Sequence, residues 1–148
     1  MYCKIFVISF LLILGCGTPE TDTCVAGPCY LAGDFTDEEA RAVTVVTRAI
    51  VDAGYTEPGY AISFIHSPEA TFKGTLWVDW RCGVEPRNPA EGYRGFCCRK
   101  WCMVFVRRFG EARPYLYELL VHELVHALGY DHGERMRAAE KEIWGHIK

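Results

Sequence analysis

The chain has 148 residues, half of them are apolar, and its formal net charge at pH 7 is −3. This length and composition allow one ordinary domain with a single core and exclude several domains within this sequence. A mildly acidic protein is also a poor general binder of nucleic acid, because the phosphate backbone requires a basic surface.

The first fifteen residues are predicted to be a signal peptide. Lys4 precedes "IFVISFLLIL", an apolar run of ten residues that is too short to span a bilayer as a helix. The run leads into "ILGC", which resembles a bacterial lipobox, and that resemblance implies cleavage before Cys16 and its lipidation. An ordinary secretory signal cut nearby is the alternative. Cleavage would remove only Lys4 among the charges, which leaves 15 basic and 19 acidic side chains and a net charge of about −4.

The sequence predicts a three-part organisation. Residues 1–15 are the signal, residues 16–33 are a polar tether rich in small residues, and residues 34–148 are the domain. The protein is expected to be exported and held at the bacterial cell envelope, on the periplasmic face or the cell surface, by a lipid on Cys16. We expect a monomer with no nucleic-acid partner.

The cysteines favour an oxidising compartment. Apart from Cys3 and Cys16, an even number remains, as is usual for disulfides in a small exported domain. The candidates are Cys24, Cys29, Cys82, Cys97, Cys98 and Cys102. Their pairing stays open, and a cysteine zinc site is the competing interpretation, although the usual C-x-x-C pairs are absent from the sequence.

The predicted elements give an α+β domain, with a small mixed sheet, a backing helix, an active-site helix and a short C-terminal helix. "TDEE" from Thr36 is a capping box that begins the first helix, and Gly54 is a suitable end. "YAISFIHS", "TLWVDW" and "WCMVFVRR" are typical of strands, and "CYLAGDF" of a short one. Residues 81–100 are predicted to be irregular. A helix follows from Pro114 to Leu128, and another begins near Glu134.

The stretch "HELVHALGYDH" is predicted to bind a metal ion. His122 and His126 are one helical turn apart, so both imidazoles lie on one face, and Glu123 flanks them as a general base would. Gly129 allows the chain to turn back and bring His132 to the same ion. A shuffled chain of this composition would show the whole pattern fewer than about once in ten thousand times.

This pattern, H-E-x-x-H-x-x-G-x-x-H, resembles the signature of the metzincin metallopeptidases, and its "HALG" and "DH" are most similar to the matrixins. The resemblance implies one zinc ion held by His122, His126 and His132, with Glu123 as the general base. It also implies an edge strand that pairs with an extended substrate. Either "TLWVDW" or "WCMVFVRR" is a candidate for this edge.

Two features depart from the family pattern, and the role of a further residue stays open. Metzincins have a methionine in a tight turn beneath the metal, whereas Met136 follows closely and begins a predicted helix, so it either supports the site or packs on the apolar face of that helix. "WRCGVEP" resembles the matrixin cysteine switch, but it lies inside the domain, and a disulfide at Cys82 is the favoured interpretation. Glu118, one turn before His122, is either a surface acid or a group that orients the His122 ring.

The sequence therefore predicts a zinc endopeptidase that is tethered to the envelope and acts on a peptide or protein substrate. The main alternative is a binding or structural lipoprotein that a zinc ion stabilises, in which a fourth protein ligand would close the site. The motif also resembles bacterial rRNA-maturation endoribonucleases. Glu123 and the export signal argue against that third function.

Overall fold

The computed structural model describes residues 24–65, 95–108 and 113–148. The predicted signal peptide, Cys16, Cys82 and the strand predicted at residues 75–80 lie outside this part of the chain. The described residues form the predicted α+β fold, with a four-stranded mixed sheet and three helices. In chain order the elements are β1 (Tyr30–Ala32), α1 (Asp37–Asp52), β2 (Ala61–Ile65), β3 (Gly95–Cys98), a 3-10 turn (Arg99–Trp101), β4 (Met103–Arg107), α2 (Arg113–Ala127) and α3 (Glu134–Trp144).

Helix α1 begins at the predicted capping box. The Glu39 amide donates to Thr36 Oγ1 at 3.2 Å, and the Thr36 amide donates to Glu39 Oε2 at 2.7 Å. Two backbone donors that the helix cannot satisfy are thereby paired at its first turn. The helix ends ahead of Gly54, which has a φ of 90°.

The strands are ordered β1-β2-β4-β3. β1, β2 and β4 run parallel, and β3 runs antiparallel to β4. Among the described strands β3 therefore lies at an edge. β4, the strand of "WCMVFVRR", lies between β2 and β3, so this candidate for the substrate-binding edge is wrong.

Residues 95–98 correct the prediction of an irregular segment over 81–100. This stretch, "GFCC", forms β3, and Phe96 lies opposite Phe105 of β4. Four residues are too few to show an alternating pattern, so the strand depends on pairing with a neighbour distant in sequence.

The described part of the chain includes some residues of the predicted tether, 16–33. β1 pairs with β2 in register Tyr30 to Ala61, and Cys24 forms a disulfide with Cys102. The sheet and this cross-link therefore begin ahead of residue 34.

One hydrophobic core joins the sheet to all three helices. The side chains on the core face of β2 and β4 are fully or almost fully buried, as are the apolar stripes of the helices. These residues include Ile62, Phe64, Val104, Val106, Val46, Ile50, Leu120, Leu124, Val125, Met136, Ala139 and Ile143. No helix within the described ranges is both long enough and apolar enough to cross a membrane.

Candidate metal centre

Helix α2 carries the first part of the candidate site on the side opposite its buried stripe. Leu120, Leu124 and Val125 are fully buried in the core. His122 and His126 are half-buried, one turn apart, as the helical spacing predicts. Glu123 is buried, with a relative exposure of 5 %. The helix is thus held by apolar packing, independently of any metal.

Gly129 ends this helix in the turn that the sequence predicts. The Tyr130 amide donates to the Val125 carbonyl at 3.3 Å, and the Gly129 amide donates to the His126 carbonyl at 2.9 Å. These are the two hydrogen bonds of a Schellman motif, and the φ of 96° at Gly129 lies in the left-handed region that such a motif requires. The turn reverses the chain and brings the exposed His132 back toward the helix.

The three histidines converge through their Nε2 atoms. His132 Nε2 lies 3.1 Å from His126 Nε2 and 3.3 Å from His122 Nε2. One ligand atom of each ring lies within 4.8 Å of those of the other two. The three residues are therefore close enough to bind one metal ion.

Hydrogen bonds at the opposite ring nitrogens set the tautomers of two of these histidines. His126 Nδ1 is 2.7 Å from the Tyr130 carbonyl oxygen, which can only accept, so Nδ1 carries the proton. His122 Nδ1 is 2.7 Å from Glu140 Oε1, a carboxylate in α3 that acts in the same way. Each Nε2 then directs a lone pair toward His132, an arrangement that a cation would stabilise.

The electrostatic environment also keeps His126 available as a ligand. Burial lowers the pKa of His126 more than its hydrogen bond to the Tyr130 carbonyl raises it. The ring is consequently neutral near pH 7, which is the form that binds metal ions.

Two of the three nitrogen separations agree with a tetrahedral ion. Zinc bonds to imidazole nitrogen at 2.0–2.1 Å, so neighbouring ligand nitrogens in a tetrahedral site lie about 3.3 Å apart. The two Nε2 separations above match that edge length. Within residues 24–65, 95–108 and 113–148, the group of close metal-binding side chains consists of these three histidines.

Glu123 lines the same cleft as the triad and packs against Gly95, the first residue of β3. A Cβ added at Gly95 would be 2.6 Å from Glu123 Oε1 and 2.7 Å from its Cγ. Burial, together with repulsion from Glu140, raises the pKa of Glu123 to about 8. A cation at the triad would favour the ionised carboxylate and lower this pKa again.

A cleft of about 1030 Å³ gives access to the histidines and to Glu123. Its described walls come from β3, the 3-10 turn, α2 and α3. Two large side chains on these walls are partly exposed, Tyr115 at 50 % and Trp144 at 43 %. The site is thus open to a molecule larger than water.

Three supporting residues were not predicted from the sequence as parts of the site. Glu140, and not Glu118, bonds to the His122 ring, and Glu118 is exposed. Arg99 and Gly95 approach from the segment around β3. None of the three has a local sequence pattern, because each comes to the site from another element.

Met136 is buried in the core on α3, with a relative exposure of 2 %. It lies within a helix rather than in a tight turn, together with the buried Ala139 and Ile143. Its surroundings therefore match the packing interpretation.

The cysteines of the described residues divide into two groups. Cys24 and Cys102 form a disulfide with a Cα separation of 5.5 Å, and Cys98 is also disulfide-bonded. Cys29 and Cys97 carry thiols, so not all six candidates form disulfides. Burial raises the pKa of the Cys29 thiol, which makes it less reactive.

Comparison with known proteins yields no relatives. No family model, no curated protein and no solved structure matches this chain.

Proposed function

We propose that this protein is a zinc-dependent endopeptidase of the metzincin type, exported and tethered to the bacterial envelope through Cys16. The observation that carries the proposal is the convergence of three imidazole Nε2 atoms beside a buried carboxylate, at the base of an open cleft. The lipid anchor and the location rest on the lipobox-like "ILGC".

Zinc is the metal that this donor set favours, because imidazole suits it and the nitrogen separations fit its tetrahedral geometry. His122, His126 and His132 would hold it. The bound ion would act as a Lewis acid toward the scissile carbonyl and would lower the pKa of a coordinated water to about 7.

Glu123 is the proposed general base. It would take the proton from the attacking water and pass it to the departing amine nitrogen, as the C–O bond forms and the C–N bond breaks. Burial and repulsion from Glu140 raise the pKa of Glu123, and a zinc ion held by the three histidines would lower it again.

One observation supports a structural role for the metal instead. The bond between Glu140 and His122 links α3 to α2, so a metal ion could serve mainly to fix the last helix. In that case zinc would raise the melting temperature of the protein, yet peptides would remain uncleaved.

The deciding experiment is digestion of a peptide library by the purified protein, read by mass spectrometry. We expect cleavage at internal peptide bonds, loss of cleavage with a chelator and recovery with Zn²⁺. Glu123→Gln should bind zinc as the wild type does but lose at least about 100-fold in kcat. Glu134→Gln, an exposed glutamate that does not line the cleft, is the control and should keep full activity. An active Glu123→Gln variant would refute the proposed mechanism.

A further inference from the structure

Arg99 connects the 3-10 turn after β3 to the end of the metal-binding helix. Its Nε donates to the His126 carbonyl at 3.0 Å. Its Nη2 donates to the Tyr130 carbonyl at 3.2 Å and to Asp131 Oδ1 at 3.1 Å. One side chain thus contacts His126 before the turn at Gly129, and Tyr130 and Asp131 after it.

Two of these acceptors also take part in the hydrogen bonds that position the metal ligands. The His126 carbonyl also closes the Schellman motif at Gly129. The Tyr130 carbonyl also accepts from His126 Nδ1 at 2.7 Å. Arg99 therefore holds the same oxygen that sets the tautomer and orientation of the His126 ring.

The third acceptor contributes less. The Asp131 side chain is 88 % exposed, so its ion pair with Arg99 is screened by solvent. The two carbonyl contacts form a fork that a planar guanidinium satisfies and a lysine ammonium does not reproduce.

The backbone on both sides of Arg99 is itself fixed. Cys98, immediately before it, is disulfide-bonded, and Cys102 is linked to Cys24. The Cys102 amide donates to the Arg99 carbonyl at 3.2 Å, with Cys102 in the left-handed region at φ 53°. The guanidinium is thus presented from a cross-linked support.

We propose that Arg99 is a positioning residue for the metal centre, which holds the turn between His126 and His132 so that both rings reach one ion. This inference rests on the proposed zinc site. His132 is exposed and follows a glycine turn, so without Arg99 it would sample other orientations and the ligands would be less preorganised.

Charge repulsion and positioning predict opposite effects of removing Arg99 on the affinity for the metal ion. Arg99 is a cation near a cation site, so by charge alone its removal would strengthen metal binding. Positioning requires that its removal weaken binding.

The test is the affinity of the protein for Zn²⁺, measured by competition with a chromophoric chelator for wild type, Arg99→Ala, Arg99→Lys and Lys100→Ala. We expect Arg99→Ala to lose about 10-fold or more in affinity, as for other groups behind metal ligands, and Arg99→Lys to recover part of this loss. Lys100→Ala removes a neighbouring charge on the same cleft wall and should bind zinc as tightly as wild type or more tightly.

Co²⁺ spectra and thermal unfolding of the metal-free proteins complete the test. A distorted Co²⁺ absorption band in Arg99→Ala, with little change in the metal-free melting temperature, supports positioning. Equal or tighter zinc binding by Arg99→Ala overturns it, as does a lower melting temperature with unchanged affinity. If Arg99→Ala does not fold, the comparison of Arg99→Lys with Lys100→Ala decides by the same criterion. Failure of the wild type to bind zinc would refute the proposed function as well, whereas failure of the variants alone refutes only the role of Arg99.

Discussion

Gly95 lacks a side chain where the Glu123 carboxylate needs space. An added Cβ would approach Glu123 Oε1 to 2.6 Å, which is closer than van der Waals contact allows. The buried carboxylate would have to turn away from its position beside the histidines. The three atoms nearest this Cβ position all belong to Glu123, so catalysis should respond more strongly than metal binding.

We expect Gly95→Ala to lower kcat/KM for peptide hydrolysis about 10-fold or more, since a general base displaced by even 1 Å loses its alignment. Zinc affinity should stay within about 3-fold of wild type. The control is Gly27→Ala, where an added Cβ meets nothing within 4 Å. Peptide hydrolysis and chelator competition measure the two quantities. Unchanged hydrolysis by Gly95→Ala would contradict the role given to Glu123 at this site.

The residues of the site differ in how far sequence can predict them. His122, Glu123, His126 and His132 fall within one helix and its following turn, so helical spacing and Gly129 suffice to bring them together. Arg99 and Glu140 reach the same histidines from other elements. Their contacts depend on how β3, the 3-10 turn and α3 pack, which no local pattern records.

At the scale of elements, a buried ion pair joins α1 to the end of β4. Arg108 Nη2 donates to Glu39 Oε2 at 2.7 Å and to the Asp34 carbonyl at 2.9 Å, and Arg108 Nε also donates to Glu39. The exposed fractions of the two side chains are 14 % and 8 %. Glu39 thus has two roles, as the capping-box acid of α1 and as the partner of a buried cation.

This pair should make stability depend on pH. Burial alone raises the pKa of Glu39, but hydrogen bonds from Arg108 and Thr36 outweigh it and lower the pKa below its ordinary value. The contribution is therefore present above the unfolded pKa of about 4.3 and is lost as pH falls through the lower folded value. We expect Glu39→Gln to cost about 3 kcal/mol at pH 7, because Arg108 would remain buried without a counter-charge.

Urea unfolding at pH 7 and at pH 3 measures this difference in the free energy of unfolding. The gap in unfolding free energy between wild type and Glu39→Gln should narrow at pH 3, because this pH lies below the unfolded pKa of about 4.3 and the unfolded carboxyl is then mostly protonated. Asp52→Asn, at the exposed end of the same helix, is the control and should change stability by less than about 0.5 kcal/mol at either pH. A gap of the same size at both pH values would show that the charge of Glu39 contributes nothing.

Helix α1 was predictable because apolar periodicity, a capping box and a glycine end coincide in its sequence, and α2 because Pro114 and Gly129 mark its two ends. The strand order could not be predicted from the sequence, because β1, β2 and β4 align in parallel across long intervening segments. β3 escaped prediction because "GFCC" has no alternation and gains its structure from β4. Local signals thus define the α part of this fold, while the β part depends on long-range pairing.

At the scale of the whole molecule, the Cys24–Cys102 disulfide links two segments that are distant in sequence. The two cysteines are 78 residues apart in sequence, and Cys102 ends the 3-10 turn that presents Arg99. The cross-link therefore ties the segment ahead of β1 to the support of the metal centre. Such bonds form and persist mainly in oxidising compartments, and export of this protein stays a prediction.

Removing this disulfide should destabilise the fold and weaken zinc binding together. By loop closure over this separation, the double variant Cys24→Ser and Cys102→Ser should lose up to about 4 kcal/mol of unfolding free energy. Its zinc affinity should also fall, because Arg99 loses a fixed support. Cys29→Ser, which removes a thiol that is not in a disulfide, is the control. Thermal unfolding with and without Zn²⁺ measures both the stability and the zinc affinity. Unchanged zinc affinity in the double variant would show that the disulfide does not support the metal centre.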